Sequence, residues 1–384
     1  MLLSKQQIAK HCASACNRAM ECKQSAAVAR IRQICCAGLP SRSFVPMVIA
    51  QLREAIPSTY GQFTWSSETG RVINAWSDRF LARRAAWIIL HYKRYAIDAG
   101  IGLQDLMMFG KPTGNLRTCS RPAFEATPTY AAIFKPYGFR WVLDGVVRDA
   151  MRPYGFFSLI RGGEAEDFSV ADEELVARVL PYMVHAMRVD TARPPRFVRG
   201  AGRSALIVCD AKGDVMEWSE QAHHLALFAL MDSITLETKV DREDLQALGP
   251  AMRAVALELR ERMDEGAGLP TEVRRNGWGE FVFRGYRLSG AQGPSERIGI
   301  LIEQLVPFEA HLLERVNATD LTPRQKEIAL QSARGLTNAE IAQRLSITPN
   351  TLKDYFKAIY ARLEINSHQQ LVARLSADQP VVVD

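Results

Sequence analysis

Between Leu321 and Leu375 the sequence contains four helix-start signals at short intervals. These capping signals constrain the fold more than any other part of the chain. Each start has a hydroxyl residue that accepts hydrogen bonds from the free N–H groups of a first helical turn. Proline follows two of these residues, at a helical position where its missing N–H costs nothing. Gly335 ends the first helix with a residue that tolerates a left-handed backbone. The four capping residues are Thr322, Thr337, Thr348 and Ser367.

The third of these helices has two chemically different faces. Its apolar residues recur at helical spacing, which predicts a face buried against the first two helices; they are Leu352, Phe356, Ile359 and Leu363. The opposite face carries basic and hydrogen-bonding residues near the helix start, the end that a recognition helix inserts into the major groove. Basic residues outnumber acidic ones from 321 to 375, whereas the whole chain carries a net charge of only +6. This pattern predicts a helix-turn-helix that binds duplex DNA.

Four short stretches carry a family resemblance; they are Leu321-Thr-Pro-Arg-Gln, Gly335-Leu-Thr-Asn-Ala-Glu-Ile-Ala, Thr351-Leu-Lys and Ile359-Tyr-Ala-Arg-Leu. Together they resemble the LuxR/FixJ-type helix-turn-helix domain. The resemblance implies a sequence-specific transcription regulator in which Lys353 contacts DNA and the fourth helix supports dimer contacts. Asp354 departs from that picture, because its carboxylate repels phosphates unless it accepts from a cytosine amino group. The predicted DNA-binding residues are Thr337, Thr348, Asn350, Thr351, Lys353, Asp354 and Lys357.

Length and composition predict a chain of two or three domains. It has 384 residues, 47% of them hydrophobic and 23% charged, which is ordinary for globular protein. The longest apolar run, Leu225 to Met231, is far short of the roughly 20 residues that span a bilayer. We therefore expect a cytoplasmic protein without a membrane partner.

Seven cysteines, an odd number, argue against a disulfide framework. Five of them cluster near the N-terminus without the Cys-x-x-Cys spacing typical of zinc sites; they are Cys12, Cys16, Cys22, Cys35 and Cys36. Small apolar residues on a helix explain the cluster, and a redox or metal role for Cys12 and Cys16 is the alternative. We expect no metal site.

Upstream of the DNA-binding segment the pattern is antiparallel. Tyr60 to Ser66 and Arg71 to Trp76 flank a hairpin turn, a helix is expected from Arg79 to Ile97, and strand candidates follow at Phe139 to Val147 and Tyr154 to Arg161. An amphipathic helix from Ser169 to Val189, with Pro181 inside, closes this part. The succession of helix, strands and closing helix resembles the GAF sensory domain.

A second set of elements begins after a linker rich in proline, glycine and arginine. Ala205 to Cys209, a turn at 210–213, Asp214 to Trp218 and a helix to Leu230 form an opening that resembles a PAS domain. Glu280 to Leu288 and Arg297 to Val306 are its expected final strands, and the second is expected to run into a helical connector toward Asp320. Trp218 and Trp278 are candidates for lining a pocket, although aromatic residues in such sheets are commonly core.

The expected fold is therefore multidomain α+β, with GAF-like and PAS-like antiparallel-sheet sensory domains followed by an all-α four-helix helix-turn-helix domain. The predicted division is an N-terminal extension at 1–27, a GAF-like domain at 28–190, a linker at 191–203, a PAS-like domain at 204–306, a connector at 307–319, the DNA-binding domain at 320–376 and a tail at 377–384.

Three other functions are alternatives to a DNA-binding regulator. An enzyme is disfavoured because the chain has no phosphate-binding glycine loop, zinc-binding His-x-x-x-His or nucleophile elbow. A response regulator would use Asp210 as phosphoacceptor, but the acidic pair and alternating β and α elements of a receiver are missing. An acyl-homoserine-lactone receptor is suggested by Trp87, Tyr92, Tyr95 and Asp98, residues that core packing and helix capping also explain.

The partners expected from this reading are double-stranded DNA, a second copy of the chain in a homodimer, a small-molecule effector and RNA polymerase. No feature of the sequence identifies the effector or a cofactor.

Overall fold

The computed structural model describes residues 23–78, 103–114, 121–127, 130–189, 195–199, 203–234, 248–266, 268–290 and 293–376. Two antiparallel sheets occupy the N-terminal part of the chain, and helices form its C-terminal part, so the expected α+β class is confirmed. The predicted helix at Arg79 to Ile97 lies outside the described residues, as do Cys12, Cys16 and Cys22.

The first sheet has the strand order β2-β1-β4-β3. Its elements are α1 (23–35), α2 (Ser41–Ala55), β1 (Tyr60–Ser66), β2 (Val72–Ser77), α3 (Leu103–Phe109), α4 (Arg121–Glu125), a π-helical turn (Tyr130–Phe134), β3 (Phe139–Arg148), β4 (Pro153–Gly162) and α5 (Val170–Arg188). The predicted hairpin is confirmed, with Gly70 at φ +75° in the turn. Both later strands pair as predicted.

Alternation along β3 and β4 divides the first domain's core between the two sheet faces. Leu143 and Phe157 pack toward α2 and α5 on one face. Val146 and Phe156 pack with Leu106 of α3 on the other. The closing helix α5 begins with a capping box between Ser169 and Asp172, as its sequence favours, and Pro181 lies within it.

The second sheet has the order β7-β6-β10-β9-β8, with β5 paired to the end of β10. Its elements are β5 (Phe197–Val198), β6 (Ser204–Cys209), β7 (Val215–Trp218), α6 (Ala222–Leu230), α7 (Gly249–Asp264), β8 (Thr271–Asn276), β9 (Gly279–Gly290) and β10 (Gly293–Pro307). Helices α6 and α7 pack on one face. The predicted opening of strand, turn, strand and helix and the final strand pair are all present.

The two sheet domains are joined along an edge of the first. Asn74 of β2 accepts a hydrogen bond from the backbone of Ile234 (3.0 Å), and Ile234 accepts one from Ala75 (2.8 Å). Ser233 adds a bond to the carbonyl of Ile73 (2.9 Å). Arg42 of α2 pairs with Asp232 (3.2 Å), so residues 232–234 lie against both the strand edge and a helix of the first domain.

The C-terminal helices are α8 (Phe308–Asn317), α9 (Pro323–Ala333), α10 (Asn338–Arg344), α11 (Pro349–Leu363) and α12 (His368–Leu375). Helix α9 contacts α8, α11 and α12, and α10 packs on α11. Leu312 and Leu313 of α8 are buried in the same core as Ile328 of α9 and Ile300 of β10. The helix-turn-helix therefore rests on the sheet domain through α8.

Two boundary details differ from the sequence expectations. Helix α1 begins at residue 23, inside the expected N-terminal extension, and Ala27 of this helix is fully buried. The expected linker includes β5, which pairs with β10. The expected helical connector is α8, whose residues Ala310, Leu312 and Leu313 pack inward. Trp218 lies 48% exposed on β7, whereas Trp278 lines a cavity with residues of both sheet domains and of α8.

Candidate nucleic-acid interface

Helix α9 is held at both ends by the residues that the sequence singled out. The Thr322 hydroxyl accepts from the Gln325 backbone N–H (3.4 Å), and the Gln325 side chain accepts from the Thr322 backbone N–H (2.9 Å). Beyond the last turn, Gly335 has φ +85°, a conformation that L-residues with a Cβ rarely adopt. The capping box and the glycine together fix the length of this helix.

Helix α10 begins with a second capping box. Glu340 accepts hydrogen bonds from the backbone N–H (2.7 Å) and the hydroxyl (2.8 Å) of Thr337, and these bonds lower the pKa of its carboxyl. After the helix, Ser346 turns the chain with φ +51°, and the Ile347 N–H donates to the Ala342 carbonyl (3.0 Å). This tight turn sets the angle between α10 and α11.

Helix α11 starts at Thr348, whose hydroxyl accepts from the Thr351 backbone N–H (3.1 Å). Leu352, Phe356, Ile359 and Leu363 are buried, as their helical spacing predicted. An arginine that sequence reasoning did not single out supports the turn before this helix. Arg324 bridges to Glu327 (2.7 Å) and donates to the Leu345 carbonyl (2.6 Å), which ties α9 to the end of α10.

The face of α11 opposite the core is open to solvent. Six of the seven predicted residues lie on the first two to three turns of α11 or cap it, and all six are exposed; they are Thr348, Asn350, Thr351, Lys353, Asp354 and Lys357. The seventh, Thr337, is exposed at the start of α10. These seven residues are called the reading face below.

The polar groups of the reading face differ in how far they are already engaged. The Thr348 and Thr351 hydroxyls bond to each other (2.8 Å), and Thr337 is held by Glu340. Lys357 lies 3.5 Å from Asp354, with both side chains at least 70% exposed. Lys353 has no hydrogen-bond or ion-pair partner among the residues that the structure describes, so its ammonium is available to a phosphate or a base edge.

Arg344, in the last turn of α10, is a further exposed cation that sequence reasoning missed. Within the described part of the chain it likewise has no ion-pair partner. Its position just before the turn into α11 is the only signal that distinguishes it in the sequence.

The receiver alternative is disfavoured by the surroundings of Asp210. Its carboxylate accepts from the backbone N–H groups of Asp214 and Lys212 (2.9 Å each) inside an antiparallel hairpin. These bonds, with that to Asp214 the stronger, lower the pKa of the carboxyl. Asp210 is therefore a turn-forming residue that shapes the β6–β7 connection.

Capped helices around a small core, a tight turn between α10 and α11, and an exposed polar face at the start of α11 define a helix-turn-helix DNA-binding domain. Residues 319–375 match the model of a family described as bacterial regulatory proteins, luxR family. Residues 319–375 thus form a LuxR-family helix-turn-helix DNA-binding domain.

Comparison with solved structures returned distant neighbours. A phage VqmA bound to DPO is 18% identical, over 47% of this chain and 86% of that chain, with a TM-score of 0.19. A Vibrio cholerae VqmA dimer is 14% identical, over 45% and 81%, with a TM-score of 0.20. SdiA in complex with octanoyl-rac-glycerol is 16% identical, over 46% and 80%, with a TM-score of 0.15. No curated protein matches the chain.

No helix among the described residues combines the length and apolar character needed to cross a bilayer. Nowhere in the same residues do three or more histidine, cysteine or acidic side chains come together as a metal site would require.

Proposed function

We propose that this protein is a homodimeric transcription regulator that inserts α11 into the major groove of its operator. The observation that carries the proposal is the exposed start of α11, where Lys353 has no partner among the described residues, in a domain that matches the LuxR family. The face stays exposed in the presence of both sheet domains. Control by the upstream domains would therefore act on the placement of two such helices and not by covering one.

Each residue of the reading face has a role suited to its chemistry. Lys353 contacts a phosphate or a guanine edge, and Asn350 forms paired hydrogen bonds to adenine. Thr337, Thr348 and Thr351 meet the sugar-phosphate backbone through hydroxyl and N–H groups near helix starts. Two residues complete the surface. Asp354 accepts from a cytosine amino group, and Lys357 neutralises a phosphate.

A second copy of the chain is part of the proposal, because one module of this size buries too little surface for strong specificity. Two-fold pairing predicts inverted half-sites about one helical turn apart. The proposed domain division remains 28–190, 204–306 and 320–376, with the first two sensing a small-molecule effector. RNA polymerase is the proposed downstream partner, the cytoplasm the proposed location, and no catalytic step is assigned.

A selection of randomised duplexes by the full-length protein tests this function. We expect an enriched palindromic sequence, bound more tightly than a scrambled duplex in fluorescence anisotropy. Lys353→Met should weaken this binding. Lys212→Met is the matched control, because Lys212 is an exposed lysine in the β6–β7 turn. Failure to enrich any sequence, or equal losses in both variants, would contradict the proposal.

A further inference from the structure

Among the described residues, the helices of the DNA-binding domain leave no large apolar side chain exposed. In α12, Leu371 and Leu375 are buried in the domain's own core. Contact between the α12 helices of two copies would therefore bury little apolar surface. Since apolar burial drives most protein association, the homodimer of the proposed function needs an apolar surface elsewhere in the chain.

The second sheet has one covered face and one open face. A Cβ added to Gly285 of β9 would meet Leu259 and Met263 of α7, so this side of the sheet is covered by a helix. Tyr286, the next residue along β9, points to the opposite side. Gly299 of β10 lies in register with Tyr286 and so belongs to the same side. Tyr286 is 37% exposed, which shows that the side away from α7 is open to solvent.

Apolar side chains from three strands cover the centre of the open face. Leu206 of β6 and Leu288 of β9 converge over Gly299, since a Cβ placed there would lie 3.9 Å and 3.2 Å from their δ carbons. Leu206 is 46% exposed and lies in register with the half-buried Leu301 of β10. The apolar residues around Gly299 are called the sheet patch below; they are Leu206, Val208, Tyr286, Leu288 and Leu301.

Ion pairs border the sheet patch at both ends of the strands. At one end Glu217 of β7 lies 3.2 Å from Arg297 of β10. At the other end Glu303 pairs with Arg284 and, at 3.4 Å, with Arg199. These pairs neutralise most of the charge of the face, so an identical face meets little like-charge repulsion. Because each end carries both signs, a second copy can also place a carboxylate beside each arginine. An apolar centre inside a polar rim is the usual anatomy of a protein interface.

We propose that two copies of this chain dimerise through the sheet patch. The sheet has the five strands β7-β6-β10-β9-β8 side by side, and β6 contains six residues. At about 4.8 Å between strands and about 3.4 Å per residue, the face is about 24 Å wide and about 20 Å long, or about 480 Å² if it were flat. Side-chain relief raises the accessible area towards the roughly 800 Å² per partner of a standard interface. A two-fold axis would place the sheet patch of one copy against that of the other.

The position of the sheet patch links dimerisation to DNA binding. Strand β10 contributes Leu301 to the patch and continues at Pro307 into α8. On α8, Glu309 forms an ion pair with Arg334 of α9 (2.8 Å). A dimer held at β10 therefore sets the distance between the α11 helices of the two copies. This link rests on the proposed function, whereas dimerisation through the sheet patch is measured without DNA.

Sedimentation velocity of the full-length protein over a concentration series tests the sheet patch. Leu206→Glu puts a charge into its apolar centre, and the two-fold axis puts it there twice. We therefore expect the dimer dissociation constant to rise at least about a hundredfold, and Tyr286→Glu should act in the same direction. Leu257→Glu is the matched control, because Leu257 is 45% exposed on α7, which covers the other side of the sheet. Val189→Glu tests the 44% exposed residue at the end of α5. Both controls should dimerise as the unchanged protein does.

Thermal melting separates loss of the dimer from loss of the fold. The melting temperature of the unchanged protein should rise with protein concentration, whereas that of Leu206→Glu should not, although both give the same circular dichroism spectrum. A dimer that survives both patch variants, or that the control variants disrupt equally, overturns the inference. So does an unchanged protein that stays monomeric across the series, which would leave the sheet patch to another partner.

The selection of randomised duplexes distinguishes this inference from the proposed function. A dimer that depends on Leu206 but enriches no duplex refutes the proposed function alone. Enrichment of a palindromic duplex by a dimer that Leu206→Glu does not weaken refutes this inference alone.

Discussion

Two substitutions on the reading face should change DNA affinity in opposite directions. Lys353→Met removes one phosphate contact per protomer, which lowers the salt dependence, expressed as log K against log [salt], by about 0.9, or about 1.8 for a dimer. Asp354→Asn does the reverse, because it releases Lys357 from a carboxylate 3.5 Å away and removes a charge that repels phosphates. The exposed pair stabilises the helix by only about 0.3 to 0.5 kcal/mol, so the fold should persist in both variants.

The size of the effect follows from the slope. When salt rises from about 50 to about 200 mM, a slope that is lower by about 1.8 means that the affinity of Lys353→Met falls by about twelvefold less than the affinity of the unchanged protein. Anisotropy titrations of full-length protein on the selected and scrambled duplexes at several salt concentrations measure it. Asp354→Asn should bind the scrambled duplex more tightly and prefer the operator less. An unchanged slope in Lys353→Met, or weaker binding of Asp354→Asn to both duplexes alike, would refute the reasoning.

Three further outcomes concern stability and reactivity. Glu364→Gly should stabilise the C-terminal domain by about 0.5 to 1 kcal/mol, because the exposed Glu364 ends α11 at φ +54°, a left-handed conformation that glycine adopts at lower cost. Chemical denaturation measures this difference, and a destabilised variant contradicts it. Burial first, then Arg203, lowers the pKa of His224 from 6.5 to about 3, so the unfolded state binds a proton that the native state does not, and stability should fall as pH drops below about 6.5. His224→Leu should melt with less pH dependence, and an identical pH profile would contradict that cause. Burial also raises the pKa values of Cys35 and Cys209 to about 12, so N-ethylmaleimide should label exposed Cys36 before either of these two, as mass spectrometry would show.

The helix-turn-helix could be predicted from sequence because its determinants are local. Thr322, Thr337 and Thr348 each bond to a backbone N–H three residues later, an arrangement that depends on adjacent residues alone. The buried face of α11 follows from helical spacing in the same way. The roles of the seven reading-face residues remain predictions, because exposure shows that they are available and not what they contact.

The sheet domains were predicted less completely, because one strand has no recognisable pattern and the cavity depends on distant segments. Strand β8 was missed because Thr271–Asn276 is an edge strand with intermediate or exposed burial and three charged residues, so it has no apolar alternation to reveal it. The cavity was not predicted because Arg42, Phe228, Trp278 and Glu314 come from four separate segments. Only the packing of α2, α6, the β8–β9 turn and α8 brings those segments together.

Pro307 is both the last residue of β10 and the residue that precedes the first turn of α8, so the strand and the helix meet without an intervening loop. The joint is clamped, because Pro307 pairs with Phe197 and the Phe308 N–H donates to the Arg196 carbonyl (2.7 Å). Each residue added at this joint would rotate α8 by about 100° relative to the sheet. The orientation of the DNA-binding domain about the α8 axis therefore depends on the number of residues between β10 and α8. A chimaera that joins this sensor to another helix-turn-helix domain must preserve that count, whatever else in the sequence it changes.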